Sequence, residues 1–594
     1  MKYIQNITIS LLLLLFAAGC SEELLNLAPK DELSEATAFA SYNNVKVYAW
    51  GFYEALPAYE GGISGQEMMK DVHADLMQYS WATGSSYLWN NENIPSSSNN
   101  WKLPYKRIRR VNIMLDNLEG SDMSQEEKDH WRSVGLFFRS FEFFRLMTIY
   151  GGVPWLENEV TDADTEILYG PRNSRDEVAA NILRDLEFAA ANIMSDGDGV
   201  NTINTNVVNA LISRFGLFEG TWRKYHNLGN HDQYLNASIT ASEKLISAFP
   251  TLHPNFDEMF NSESLEGING VILFKRYVED EMHVLMATNF RSSNASWDIT
   301  RKGIDKFLCK DGQTVHNSPL FGGYTDKYAE FRNRDNRLLY TTTPPYKVKK
   351  TGSQTWEHTG VESDREYFYI MEDISNPLLK TLPDLNWSGN VIAETPNFDE
   401  AGFNRTKSTG YRIWKHYNQL NTGRSSADFA DAPMFRMGEV LLNYAEAKFE
   451  VGSFNQTVAD ATINKLRVRG DVAPMEVSEI DANFDPTGDT SVDPVLFEIR
   501  RERAVELMGE GFRREDLRRW KKMDYGTVVK TGRWVKQSDY TSTLKIQNNE
   551  AEGFIQHVPG TPPAFPEYYY LYPLPSDQIV INPQLEQNPS WDQQ

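Results

Sequence analysis

Cysteine is nearly missing from this chain, whose 594 residues include only Cys20 and Cys309. A fold stapled by several disulfides is therefore excluded, and Cys309 is expected as a small buried apolar residue. Positive charge is also short: 59 Lys and Arg stand against 82 Asp and Glu, for a formal net charge of −23. Such a surface repels nucleic-acid phosphates and anionic headgroups, so no nucleic-acid partner is expected. No apolar run after Ala18 is long enough for a transmembrane helix. Motifs of catalysis are absent as well, with no Gly-x-Ser-x-Gly elbow, P-loop, Cys-x-x-Cys or His-Glu-x-x-His. Histidines are scattered, and the pair at plausible ligand spacing, His226 and His231, reads as a solvated loop. Asp162, Asp164 and Glu166, like Asp485 and Asp489, offer oxygens without the spacing of a calcium loop. We expect no metal and no cofactor.

What is present begins at the N-terminus. After Met1-Lys2, an apolar stretch from Ile7 to Ala18 is too short to span a bilayer and runs into Gly19-Cys20. This pattern predicts a lipoprotein signal over residues 1–19 and a lipidated Cys20. Ala17 departs from the leucine more usual there. Only several acyl chains together give stable anchoring, at about 0.8 kcal/mol per buried methylene, and they would be the sole membrane attachment. Residues 20–34 read as a tether, and Ser21-Glu22-Glu23 resembles the run that sends lipoproteins of Bacteroidetes-type bacteria to the outer face of the outer membrane. The body is then 35–594.

Helical periodicity dominates that body. Val134, Phe137, Phe138, Phe141 and Phe144 recur at spacings of three and four, as do Val178, Ile182, Leu186, Ala189 and Ile193. The pattern returns at Val208, Leu211, Ile212, Phe215 and Phe218, again at Met437, Val440, Leu441 and Tyr444, and in a helix from Val495 to Met508. Small residues at Ala210, Ser213 and Gly216 predict close helix approach, as in stacked tetratricopeptide-like pairs. Residues 78–104 and about 276–430, rich in Gly, Pro, Ser, Asn and aromatics, read as long loops over this scaffold. The proline-punctuated tail from Glu567 to Trp591 is expected to pack back onto it. Within the charged run Glu498 to Glu506, Arg503 and Glu506 are neighbours at three, and Glu498 faces Arg501 and Glu502; the run reads as an ion-pair lattice between helices.

Five blocks, in order, resemble the SusD/RagB family of outer-membrane nutrient-binding lipoproteins. They are Tyr105 to Leu115; Arg139 to Pro154, an aromatic helix ending at Gly151-Gly152-Val153-Pro154; Phe435 to Ala447 (FRMGEVLLNYAEA); Glu498 to Leu507 with Glu510 to Trp520; and Leu571 to Pro575 with Asn582 to Trp591. Met437-Gly438 replaces the family's aromatic-alanine pair, and Ser590 stands where glycine is common. The resemblance implies a mainly α, SusD-like single domain of four tetratricopeptide-like helix pairs overlaid by long irregular loops and a few short strands. It further implies an N-terminal region of about 35–225 and a C-terminal region of about 226–594. Family members sit as lids on SusC-like TonB-dependent transporters and hand them oligosaccharides, in some members peptides, without catalysis.

Trp81, Tyr87, Trp89 and Trp101 lie among Asn90, Asn91, Asn93, Asn99 and Asn100, with Asp75 upstream. Sugar rings stack apolar C–H faces on such side chains while amides and carboxylates bind their hydroxyls. The matching family region after the third repeat adds Tyr277, Asn289, Arg291 and Trp297 as ligand-binding candidates. For any one of these rings, a role in pinning loops competes equally with ligand contact. The expected function is a cell-surface glycan-binding lipoprotein delivering to a SusC-like transporter. The alternatives are a peptide-binding lid, a surface glycosidase, whose carboxylate pair would stand about 5–9.5 Å apart, and a repeat scaffold for protein assembly.

Overall fold

The computed structural model describes residues 38–57, 59, 67–79, 84–279, 281, 282, 284, 297–400, 408–420 and 428–593. Cys20, Trp81, Asn289 and Arg291 lie outside them. Eleven helices carry the argument: α1 Tyr42–Trp50, α2 Asn99–Asn117, α3 Gln125–Tyr150, α4 Arg175–Asn192, α5 Thr205–Tyr225, α6 His231–Ala248, α7 Arg301–Asp305, α8 Met437–Glu450, α9 Ile463–Arg469, α10 Pro494–Glu506 and α11 Arg513–Arg519. Local signals start several of them. Ser124 and Glu127 form a reciprocal capping box on α3, and Ser174 and Glu177 form another on α4. Asp493, followed by Pro494, opens α10 by accepting from the Val495 and Leu496 amides. At the other end of α3, Gly151 closes the helix at φ +78°, a conformation open to glycine without strain.

Helices neighbouring in sequence pack on one another: α2 on α3, α3 on α4, and α5 on α6, with α8 lying across α6 and α10. The apolar stripes meet in one large core that includes Phe137, Phe138, Phe141, Ile182, Leu211, Phe215 and Leu441. The approach of α5 to α6 depends on Gly216. A Cβ there would stand 2.5 Å from the Tyr234 carbonyl oxygen and 2.9 Å from the Ser238 nitrogen. Beside it, the Ser213 and Ser242 hydroxyls meet at 2.8 Å, and Ser238 donates to the Ser213 carbonyl.

The lattice on α10 is buried, but its pairing differs from the helical spacing. Glu498 does meet Arg501, at 2.7 Å. Arg503 instead turns to Asp516 on α11 at 2.9 Å, and Glu506 accepts from Arg337, Arg436 and Arg469. Glu506 ends its helix and faces segments distant in sequence, so tertiary partners displace the neighbour at three.

The described parts of 276–430 hold short helices, α7 among them, and short strands in irregular chain, and supply most of a second core that includes Trp297, Phe307, Tyr346, Phe368, Tyr411 and Trp414. A three-stranded sheet in this region has β4 Tyr346–Lys350 between β5 Trp356–His358 and β6 Glu394–Thr395. Two antiparallel pairs tie it to the rest: β1 Met77–Tyr79 with β3 Trp297–Ile299, and β2 Val271–Lys275 with β7 Ala432–Arg436. A last pair, β8 Trp534–Lys536 with β9 Glu552–Phe554, precedes the tail. The tail does pack back. Trp591 stacks on Tyr569 at 4.8 Å, and the Asn588 amide donates to the Tyr150 and Tyr572 carbonyls. Ser590 holds φ +68°, the left-handed region, at the position where the resemblance expects glycine.

Candidate functional site

The strand pair β1/β3 joins the two segments that carry the candidate aromatics, with Tyr79 opposite Trp297 and Met77 opposite Ile299. Thr300, directly after β3, caps α7 by accepting from the Gly303 amide. Gly303 lies under the Leu76 carbonyl, where a Cβ would come within 2.6 Å. This tight seat aims the α7 side chains, Arg301, Lys302, Asp305 and the following Lys306, into a cavity of about 540 Å³. The far walls are Asp485 and Asp489 from the loop before α10, Phe497, Arg500 and Arg501 from α10, Arg513 and Trp520 at α11, and the stretch Asp524 to Thr531. Such a volume lies within the usual range for small-molecule pockets, about 300–1,000 Å³.

Polar chemistry is concentrated there. Asp75 is fully buried and takes both oxygens to Arg513, at 2.8 and 3.0 Å, while Lys302 adds a third contact at 3.0 Å. Burial opposes ionisation of Asp75, but Arg513 and Lys302 overcome it and hold its carboxyl well below the usual range. Asp489 is engaged by Lys522 at 2.7 Å and by the Tyr525 hydroxyl at 2.6 Å. Lys530 has its ammonium ringed by the carbonyls of Val72, Ala74 and Met77. Burial pushes that ammonium down to about 7. Among the described residues no group of three or more His, Cys, Asp and Glu gathers as a metal site.

Lys530 and Val528 also line a shallow groove with Gln78, Tyr79, Gly84, Trp89 and Gly560, so groove and cavity adjoin. Trp89 is half-buried against the two glycines, both at positive φ; a Cβ on Gly84 would meet its indole nitrogen at 2.6 Å. Of the predicted site residues, the described part of the structure thus brings Asp75 and Trp89 to this face.

Four others are corrected from ligand candidates to packing residues. Tyr87 is 2% exposed, stacks on Tyr572 at 5.4 Å and donates to the Tyr569 carbonyl. Trp101 belongs to the first turn of α2, launched from the serine-rich run by the Ser98 cap, and packs between Tyr105 and Tyr150. Tyr277 lies parallel to Tyr59 at 6.3 Å, and Trp297 is wholly buried in the second core. With their faces covered by neighbours, none of these rings is open to a sugar. His226, expected in a solvated loop, instead stacks on Trp222 at 4.1 Å beside the C-terminus of α5.

Sequence reading missed Lys302, Lys306, Phe497, Tyr525 and Lys530 as site residues, and it assigned Arg500 to structure alone. They come from separate segments, so no local spacing could have marked them.

Comparison with known proteins gives consistent results. The profile of the SusD family matches residues 275–591, and a profile described as "Starch-binding associating with outer membrane" matches residues 29–217. A SusD-like protein of Formosa agariphila is 26% identical over 209 residues, which span 32% of this chain and 38% of that protein. A SusD-like carbohydrate binding protein from Bacteroides fragilis superposes with a TM-score of 0.68 at 18% identity, covering 93% of this chain and 100% of the other. A second SusD-like protein of that species gives 0.63 at 19% identity, with 95% and 100% covered. A SusD superfamily protein from Parabacteroides distasonis gives 0.58 at 17%, with 92% and 99% covered. Among the described residues no helix is long and apolar enough to cross a membrane.

Proposed function

Because the chain belongs to the SusD family, we propose that it is a saccharide-capturing protein of the outer membrane that binds its ligand without cleaving it. The observation that carries this reading is the cavity of about 540 Å³, lined by hydroxyls, carboxylates and guanidinium groups beside aromatic rings, which shares Val528 and Lys530 with the Trp89 groove. Sugars need this mixture, since their hydroxyls demand hydrogen-bond partners and their C–H faces demand apolar rings. The name of the Bacteroides fragilis neighbour, a SusD-like carbohydrate binding protein, supports it.

In this reading Cys20 carries the acyl chains, the body faces outward, and a SusC-like TonB-dependent transporter receives the ligand. Cys20→Ala should release the protein from the membrane fraction, and protease shaving of intact cells should remove the wild type. Calorimetry of the mature chain against a glycan panel tests the binding reading itself. Saccharide binding with no release of shorter products is expected. Binding of peptides alone would overturn the ligand class, and hydrolysis by pure protein would overturn the non-enzymatic reading.

A further inference from the structure

The cavity lining holds seven Lys and Arg against five Asp, although the chain as a whole carries −23; Arg500 and Arg501 are paired from behind it with Glu446, Glu450, Glu498 and Glu502. Asp305 is taken by Arg301 at 2.9 Å, Asp489 by Lys522 from outside the lining, and Asp75 is shared by two cations, Arg513 and Lys302. Two lysines make no hydrogen bond to a carboxylate among the described residues. Lys530 meets only carbonyl oxygens at hydrogen-bond distance. Lys306 is 7% exposed, and the nearest carboxylate oxygen, on Asp485, is 3.9 Å from its ammonium. That carboxylate directs its other oxygen to the amide and hydroxyl of Thr487. The Lys306 ammonium lies over the Phe497 ring at 4.8 Å and makes no direct hydrogen bond among the described residues. A buried ammonium held this way has only the Asp485 carboxylate, beyond hydrogen-bond distance, to offset its desolvation, and burial pushes it down to about 8.

Nearby, Arg500 is already held by Glu446, Glu450 and the Tyr225 hydroxyl, with its guanidinium 4.3 Å over Trp520, so it leaves Lys306 as the cation short of a hydrogen bond. Packing alone does not call for this arrangement, because an apolar side chain at 306 would fill the same space without a desolvated charge. A ligand anion at this point would give Lys306 a hydrogen-bonding partner, with Lys302 on the same side and Arg513 across the cavity.

Resting on the saccharide reading, we infer that the cavity selects an acidic saccharide, whose carboxylate or sulfate ester pairs with Lys306 while Phe497 and Tyr525 flank the ring. In a protein whose net charge repels anions, this local surplus sets selectivity against the overall field.

The test compares matched ligands on the full mature chain by calorimetry. Oligogalacturonides are titrated before and after reduction of their carboxyls to alcohols, and carrageenan oligosaccharides before and after desulfation. At least one acidic form should bind ten-fold or more tighter than its neutralised partner and weaken with added sodium chloride. The arm that shows the preference names the anionic group. Lys306→Met should erase the preference while the protein remains folded, and Lys306→Arg should retain it. Lys302→Gln, at a half-exposed position, is the second variant and should reduce the preference in part. Equal binding of acidic and neutralised forms, or a preference that survives Lys306→Met, overturns the inference while saccharide capture stands. Absence of binding to these ligands and to a broad neutral glycan panel removes both.

Discussion

Replacing Glu506 by glutamine tests the charge lattice at its most connected point. One carboxylate, wholly buried, accepts from Arg436 at 2.6 Å, Arg469 at 2.5 Å and Arg337 at 3.1 Å. Burial opposes its ionisation, but the three guanidiniums hold the carboxyl well below the usual range. After Glu506→Gln, Arg337 keeps Asp335 and Glu502, and Arg436 keeps Glu510. Arg469 keeps no carboxylate among the described residues, so its buried charge becomes the chief cost. Breaking a buried pair from one side costs about 3–5 kcal/mol, because the other charge stays desolvated. With 516 described residues at about 2.1 cal/mol/K each, the unfolding entropy is about 1.1 kcal/mol/K, and the melting midpoint should fall by about 3–5 °C. Differential scanning calorimetry resolves that shift. Glu506→Gln combined with Arg469→Met removes both charges and should be less destabilised than the sum of the single changes. Glu357→Gln, at the exposed pair with Lys349, should leave the midpoint unmoved. If Glu506→Gln melts with the wild type, or the double variant is additive, the orphaned charge is not the source of the cost.

Three further outcomes follow from the same structure. Arginines and other cations hold Glu446, Glu502 and Glu515 at about 2 against the opposing effect of burial. Their stabilisation is therefore complete above the unfolded value, about 4.3, and is lost as the pH falls toward 2. Urea midpoints measured from pH 6 to pH 2 should drop across that window, and a flat profile would contradict it. Ser590→Gly relieves a left-handed backbone of about 1 kcal/mol and should raise the melting temperature slightly. A fall would mean that the serine side chain matters more than the backbone. Trp89→Ala should leave the fold intact and weaken saccharide binding about thirtyfold, the effect of a ring contributing about 2 kcal/mol; unchanged affinity would move the contact surface elsewhere.

The long helices were legible because their signals are local. Phe137, Phe141 and Phe144 declare a helix face within two turns, and Gly216 marks where a neighbour must come close. The aromatics of the irregular segments were not legible in the same way. Tyr87 looks like a loop ring until Tyr569 and Tyr572 are placed against it, and Tyr277 until Tyr59 is. Trp101 misled for a different reason, since a serine-rich run also supplies good helix caps, and Ser98 is one. Asp75 and Trp89 do line this face, but the cavity there is assembled from residues near 300, 485, 500 and 525. Charge pairing at that range depends on tertiary placement, as the turn of Arg503 toward Asp516 shows.

The contacts between the chain's two ends also govern when the protein can finish folding. Asp71 accepts the amides of Gly509 and Arg513 at 3.0 and 2.9 Å, Asp75 holds the Arg513 side chain, and Tyr87 rests on the tyrosines that Trp591 seals. Each of these partnerships spans more than 430 residues. A ribosome or a translocation channel delivers the N-terminal partner long before the other, and loop closure on that scale is slow. The early segments therefore wait for their partners: the cavity closes only when residues 485–531 arrive, and Tyr87 is covered only when the tail does. A copy ending before residue 485 carries no far wall for the cavity, whatever the state of its helices.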